Sequence, residues 1–246
     1  MPLDVSNILL LSFLTSLAFT VRVVTGFGSA ILLSPLFSNF LPPKDVVVLI
    51  ILLESLINLV FVTRERIRFT LGGVYAGAFL GIAAGMVLFG LISQKIAGLI
   101  IGVSMGALSL VMLAGVRFQI KNESLLFLSA GLISGFMGVL TGVNGPQIVL
   151  ALTNQGYEAG FIRIFIITYL IVIDSIILLA FVALGYLRPD TLILFLILTP
   201  FVAISYIIGK RIVWGMESER LRKAILSVVF ISSVSLVLRF LSNGGM

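Results

Sequence analysis

Arg22, Glu54 and Asp174 stand inside long apolar stretches. An ionisable side chain is expensive there and marks a functional site by default. Glu54 is followed by Ser55 and, one turn on, by Asn58; Asp174 is followed by Ser175. Two carboxyls so placed suit three kinds of chemistry. They can take up and release a proton that drives transport, act as a general acid–base pair, or hydrogen-bond as neutral acids to a neighbouring helix. A shift of about 120 positions pairs Glu54-Ser55 with Asp174-Ser175, one carboxyl in each half of the chain. Arg22 can hold an oxyanion through its planar guanidinium or snorkel to a lipid headgroup.

Three residues beyond Arg22 the apolar run is interrupted by Thr25-Gly26-Phe27-Gly28-Ser29-Ala30. A later run is interrupted in the same way by Thr141-Gly142-Val143-Asn144-Gly145-Pro146-Gln147. Sliding one onto the other by about 116 positions pairs Thr25 with Thr141, Gly26 with Gly142, Ser29 with Gly145 and Ala30 with Pro146. Each stretch has the chemistry of one helix ending and another beginning. Glycine accepts the left-handed backbone that ends a helix. Ser29, or Asn144 with Gly145, suits the N-cap of the next helix, and Pro146 its first position.

The freed backbone N–H groups, at the positive end of the new helix dipole, make an anion site. Irregular backbone cannot face lipid, so the breaks belong inside protein or along a water-filled cavity. A matched pair of interrupted helices is also the best sequence pointer to a transporter's binding site. This reading assigns anion binding to Arg22, Thr25, Gly26, Gly28, Ser29, Thr141, Gly142, Asn144, Gly145 and Gln147, and proton coupling to Glu54 and Asp174. Two ordinary interhelical loops are the plainer alternative.

Histidine and cysteine are both absent. That removes the commonest metal ligand, the thiolate ligand and nucleophile, and any serine–histidine pair. There is no Gly-x-x-x-x-Gly-Lys-Ser/Thr phosphate loop and no Gly-x-Ser-x-Gly elbow. No catalytic residue, metal or cofactor is expected. An intramembrane enzyme, or a structural subunit of a larger complex, stands as the rival to a transporter.

The elements that must position these residues are membrane helices. The 246 residues are 60% hydrophobic and 11% charged, with a mean hydropathy of +1.25, which defines an integral membrane protein. The long unalternating apolar segments favour helices over a barrel. The net charge of +6 is scattered over short loops, so it orients the chain in the bilayer and does not bind nucleic acid. Met1-Pro2-Leu3-Asp4 lacks the basic region of a signal peptide, so the first apolar run is expected to be retained.

The pattern predicts ten helices, at about 6–25, 29–41, 45–62, 69–91, 95–116, 123–141, 145–155, 160–185, 190–210 and 219–240. Pro42-Pro43 is expected to end the short second helix. The order long, short, long, long, long occurs twice, predicting two repeats, 1–118 and 119–246, of opposite orientation within one all-α domain. Arg64, Arg66, Arg68, Arg117, Lys121, Arg163, Lys210, Arg211, Arg220, Arg222 and Lys223 fall in the odd-numbered loops. Only Lys44, Lys95 and Arg188 fall in the even ones, so the odd loops are expected in the cytoplasm and both termini outside. Gly73, Gly77, Gly81 and Gly85, and then Gly98, Gly102 and Gly106, form small-residue ridges suited to close helix packing. A homodimer contact is the alternative use of these ridges, and packing within the fold is favoured.

Gly26-Phe27-Gly28-Ser29-Ala30-Ile31-Leu32-Leu33-Ser34-Pro35-Leu36 resembles the Gly-x-Gly-Gly-Gly-Phe-Leu-x-x-Pro-x-Leu signature of the TauE/SafE sulfite exporter family. Gly138 through Leu152 resembles that family's second-half signature, and the similarity in length, helix number and duplication covers essentially the whole chain. The resemblance implies a multi-pass transporter of a small sulfur-containing anion (sulfite, thiosulfate or an organosulfonate) in the cytoplasmic membrane. The chain departs from the pattern at Ser29, Ala30, Asn144 and Pro146, where glycines are usual, and at Ala151, where a proline is. These departures fall at the expected site.

Overall fold

The computed structural model describes residues 5–64, 70–115, 122–212 and 219–242. They form ten helices and no strand: α1 (Val5–Thr25), α2 (Ser29–Ser38), α3 (Pro43–Arg64), α4 (Gly72–Leu91), α5 (Gln94–Ala114), α6 (Glu123–Thr141), α7 (Gly145–Asn154), α8 (Ala159–Ala183), α9 (Pro189–Ile212) and α10 (Glu219–Ser242). Eight are long and apolar enough to cross a membrane, and α2 and α7 are the two short ones. This is a polytopic all-α membrane protein. Many large apolar side chains stay exposed, such as Leu91, Leu59 and Leu196, as an outer face in contact with lipid requires.

Helix ends follow the capping chemistry of the sequence. Ser93 caps α5 by accepting from the Ile96 amide, and Asn122 caps α6 by accepting from the Leu125 amide. The first short helix is shorter than expected and is not ended by proline. It stops at Ser38, where Asn39 Nδ2 donates to the Pro35 carbonyl at 2.8 Å, and Pro43 instead opens α3. Proline suits that first position because its missing N–H has no partner to lose. At ten residues α2 rises about 15 Å, half of a bilayer core.

α3 is the most buried of the long helices, while α9 and α10 are the least. α3 packs along α8 at the centre, α4 packs on α6, α1 on α9 and α5 on α10. In each of these pairings a helix of the first half meets one of the second. The α4–α6 seam is backbone against backbone. A Cβ added at Gly77 or Gly81 would stand 2.0 or 2.1 Å from the carbonyl oxygens of Leu128 or Leu132. One added at Gly131 or Gly135 would stand 2.0 or 2.2 Å from those of Val74 or Ala78. Gly98 and Gly102 make room for Phe240 and Val237 of α10 in the same way. The glycine ridges are therefore used within the chain.

Four of the basic loop residues that bear on orientation, Arg66, Arg68, Arg117 and Lys121, lie outside the described residues. Lys44, at the start of α3, is tied into the protein. Its ammonium donates to the Ile92 carbonyl at 3.2 Å and sits 4.8 Å from the Phe89 ring centroid.

Candidate functional site between the two breaks

Both breaks fold by one local rule. Gly26 and Gly142 take left-handed backbone, with φ of 86° and 75°, and their amides close the preceding helices by donating to the carbonyls of Arg22 and Gly138. Thr25 Oγ1 donates to the Val21 carbonyl and accepts from the Phe27 amide. Thr141 Oγ1 does the same with the Met137 carbonyl and the Val143 amide. The two threonines thus stitch the backbone of their own breaks. The offset continues past the breaks: α2 and α7 begin at Ser29 and Gly145, and α3 and α8 at Pro43 and Ala159. In that register the residue corresponding to Asp174 is Asn58, and Glu54 corresponds to Leu170. The looser pairing of Glu54 with Asp174 is not the one the helices keep.

The short helices start differently from the expectation. Gly28, with φ of 110°, is the N-cap of α2, while Ser29 is its first helical residue and makes no cap. Its hydroxyl donates to Glu54 Oε1 instead, and the Ala30 amide also faces that carboxyl. Asn144 is the N-cap of α7, but its side chain does not cap either; Nδ2 donates to Asp174 Oδ1 at 2.7 Å. Pro146 occupies the second helical position, after Gly145.

Arg22 is 2% exposed, enclosed by protein on all sides. It pairs with Glu54 and donates from Nη2 to Asn58 Oδ1 at 2.6 Å, while Nε has no hydrogen-bond partner. That burial excludes the headgroup-snorkelling alternative. Asn58 Nδ2 donates to Asp174 Oδ2 at 2.8 Å, so both oxygens of Asp174 accept from side-chain amides. Ser134 donates to the Asn144 carbonyl and accepts from the Tyr169 hydroxyl at 2.8 Å. One buried chain of contacts therefore runs from Ser29 through Glu54, Arg22, Asn58, Asp174 and Asn144 to Ser134 and Tyr169.

The breaks touch across this chain. A Cβ added at Gly145 would stand 3.5 Å from Phe27 Cβ. Between them lies a water-sized cavity of about 10 Å³, lined by Arg22, Phe27, Gly28, Glu54, Asn144, Gly145 and their neighbours. Among the sequence-derived residues, Arg22, Gly28, Glu54, Asn144 and Gly145 meet at this cavity, and Ser29 and Asp174 stand one hydrogen bond behind it. Thr25, Gly26, Thr141, Gly142 and Gln147 are not in its lining. Thr25 is exposed and Thr141 buried; Gln147 Nε2 reaches back to the Val143 carbonyl at 3.5 Å, and its Oε1 is buried without a partner.

Four residues of this region were not assigned from sequence. Asn58 could have been found by carrying the offset of the breaks into α3. Phe27 stands inside the first break between two assigned glycines, whereas Ser134 and Tyr169 carry no local signal, because only the tertiary fold brings them to Asn144. Arg163 packs its stem on the first break, its Cγ 3.3 Å from where a Gly26 Cβ would stand.

Eight apolar spans, two half-length helices at facing breaks and a buried arginine between them define a membrane protein of the transporter class. The family comparison makes that specific. A model of the sulfite exporter TauE/SafE family matches residues 11–236, and the chain belongs to that family of membrane transporters. Comparison with curated proteins and with solved structures gives no match.

Proposed function

We propose that this protein is a secondary transporter that moves a small sulfur-containing anion (sulfite, thiosulfate or an organosulfonate) across the cytoplasmic membrane, with the anion held between the two breaks. The observation that carries this reading is Arg22, a buried guanidinium with an unused N–H, lining a cavity shared by the starts of α2 and α7. Backbone N–H groups at Gly28-Ser29 and Gly145, with the Asn144 amide, complete a donor set for an oxyanion. Thr25, Gly26, Thr141, Gly142 and Gln147 support the site by holding the shape of the breaks.

The cavity is too small for a sulfur oxyanion, so binding needs the breaks to separate. Such separation fits two repeats, 1–118 and 119–246, of inverted orientation that rock about the central α3–α8 contact. The long helices divide four to a half, so inversion requires each broken pair to complete one further crossing. In the cell the odd loops face the cytoplasm. The chain has no native cysteine, so single cysteines placed at Arg64–Arg68 and at Lys210–Lys223 test this. They should be shielded from a membrane-impermeant thiol reagent in intact cells, and labelling there reverses the orientation. Flux of labelled sulfite or methanesulfonate into liposomes tests transport itself. Protein that binds and moves neither anion belongs to the structural-subunit class instead.

A further inference from the structure

The anion site already holds an anion. The Glu54 carboxyl sits on Arg22, accepts the Ser29 hydroxyl and faces the Ala30 amide at the start of α2. Arg22 is the same cation that the proposed site offers to substrate, and the start of α2 supplies donors to both. Among the described residues Arg22 pairs with no second carboxylate, and its other bond goes to the neutral Asn58 amide oxygen. Asp174 lies behind Asn58 and is satisfied by two amides. Glu54 is also buried, at 2% exposure, so it has no solvent in which to leave its charge.

We infer that Glu54 is an internal stand-in for the substrate, so that a bound anion displaces it from Arg22 and Glu54 takes up a proton as it leaves. The inference rests on the reading that substrate binds between the breaks. Its cause is charge balance. An anion on Arg22 beside an ionised, abandoned Glu54 would leave one buried charge unpaired, which costs several kcal/mol. Protonating Glu54 removes that cost: the carboxylate gains a proton, the guanidinium exchanges one anion for another, and the net charge of the site is unchanged when the incoming ion is a monoanion.

The groups facing Glu54 are Arg22 from α1, Ser29 and the Ala30 amide from α2, Asn58 from α3 and, beyond it, Asp174 from α8. Of these only Asp174 is another carboxyl, and it keeps both of its amide donors when the anion arrives. Two consequences follow. Anion and proton travel together, and monovalent oxyanions such as sulfonates or hydrogensulfite suit the site better than dianions.

The test uses full-length purified protein and methanesulfonate, which stays a monoanion across the working range. Calorimetric titration in two buffers of different ionisation heat counts protons taken up on binding. At alkaline pH the wild type should take up about one proton per anion, its affinity falling about tenfold per pH unit. Glu54→Gln should take up none, lose the pH dependence and bind at least about tenfold tighter at alkaline pH. Wild-type binding that depends on Arg22 yet moves no proton overturns the stand-in role while leaving the site intact. Binding unaffected by Arg22→Gln, or no binding at all, overturns the site and this inference together. The decisive count is made on the wild type, so a poorly folded variant does not blunt it.

Discussion

The two breaks share a backbone and differ in what they carry. Each ends its first helix on a left-handed glycine and binds its own threonine in the same two hydrogen bonds. One turn before that glycine, the first half has Arg22 and the second has Gly138; at the N-cap, the first has Gly28 and the second Asn144. Side chain and glycine change places. Gly138 is where a Cβ would come 3.0 Å from Asn144 Cβ, so the missing side chain in the second half makes room for the amide that reaches Asp174. The first break brings charge to the cavity, and the second brings neutral donors.

The short helices differ as well. α2 is buried along nearly its whole length and held at both ends, by Glu54 at its start and by Arg239 of α10, which donates to the Ser38 and Asn39 carbonyls at its finish. That cation at a helix C-terminus also complements the dipole. α7 packs chiefly on α6 and α8 and leaves more of its surface open. A duplicated scaffold can thus keep one half-helix fixed and leave its twin freer to move.

Removing the charge from the first break should have the largest effect. Arg22→Gln leaves Glu54 buried without its partner, at a cost of about 3–5 kcal/mol, and abolishes anion binding. Arg22→Gln with Glu54→Gln should recover much of the stability and none of the binding. Thermal melts of the single and double variants in detergent check this, and purely additive losses would mean that the pair is not coupled.

Next come the donors. Asn144→Ala removes an amide donor to the bound anion, and a hydrogen bond to a charged group is worth about 1.5–3 kcal/mol or roughly ten- to hundredfold in affinity. Ser29→Ala should cost less, because a hydroxyl offers one donor where the Asn144 amide offers two. Anion affinity of the two variants, measured side by side, ranks the breaks; a larger loss at Ser29 reverses the assignment.

Glycine substitutions sharpen the comparison further. Alanine at either left-handed position carries about 1–2 kcal/mol of backbone strain. Gly142→Ala should melt lower than Gly26→Ala, because its new methyl meets the packed Ile50 side chain at 3.1 Å, whereas at Gly26 it meets the flexible stem of Arg163. The smallest effect is dynamic. Amide hydrogen exchange should be slower in α2 than in α7, and equal protection would remove the distinction between a held and a freer half-helix.

Most of the fold was legible because apolar run length and glycine–proline punctuation are local signals. All ten helices were expected, and the two threonine–glycine pairs marked both breaks. The end of α2 was misread because Asn39 and Arg239 stop it before the prolines, and Arg239 comes from the other end of the chain. At the site, the pairing of Glu54 with Asp174 followed residue type and not the register of the breaks. A partnership such as Glu54 with Arg22 joins α1 to α3 and carries no mark in either segment. The caps failed for a related reason: Ser29 and Asn144 have the right chemistry, but each side chain is taken by a carboxyl from a distant helix.

The central claim is that an oxyanion crosses the membrane by way of Arg22 and the facing starts of α2 and α7. Uptake of labelled methanesulfonate into liposomes, driven by an inward proton gradient, tests it most directly. Wild-type protein should accumulate the anion, and Arg22→Gln, shown to be folded by its melt, should reduce accumulation to the level of empty liposomes. Accumulation by folded Arg22→Gln at the wild-type rate would contradict the account and move the pathway away from the breaks.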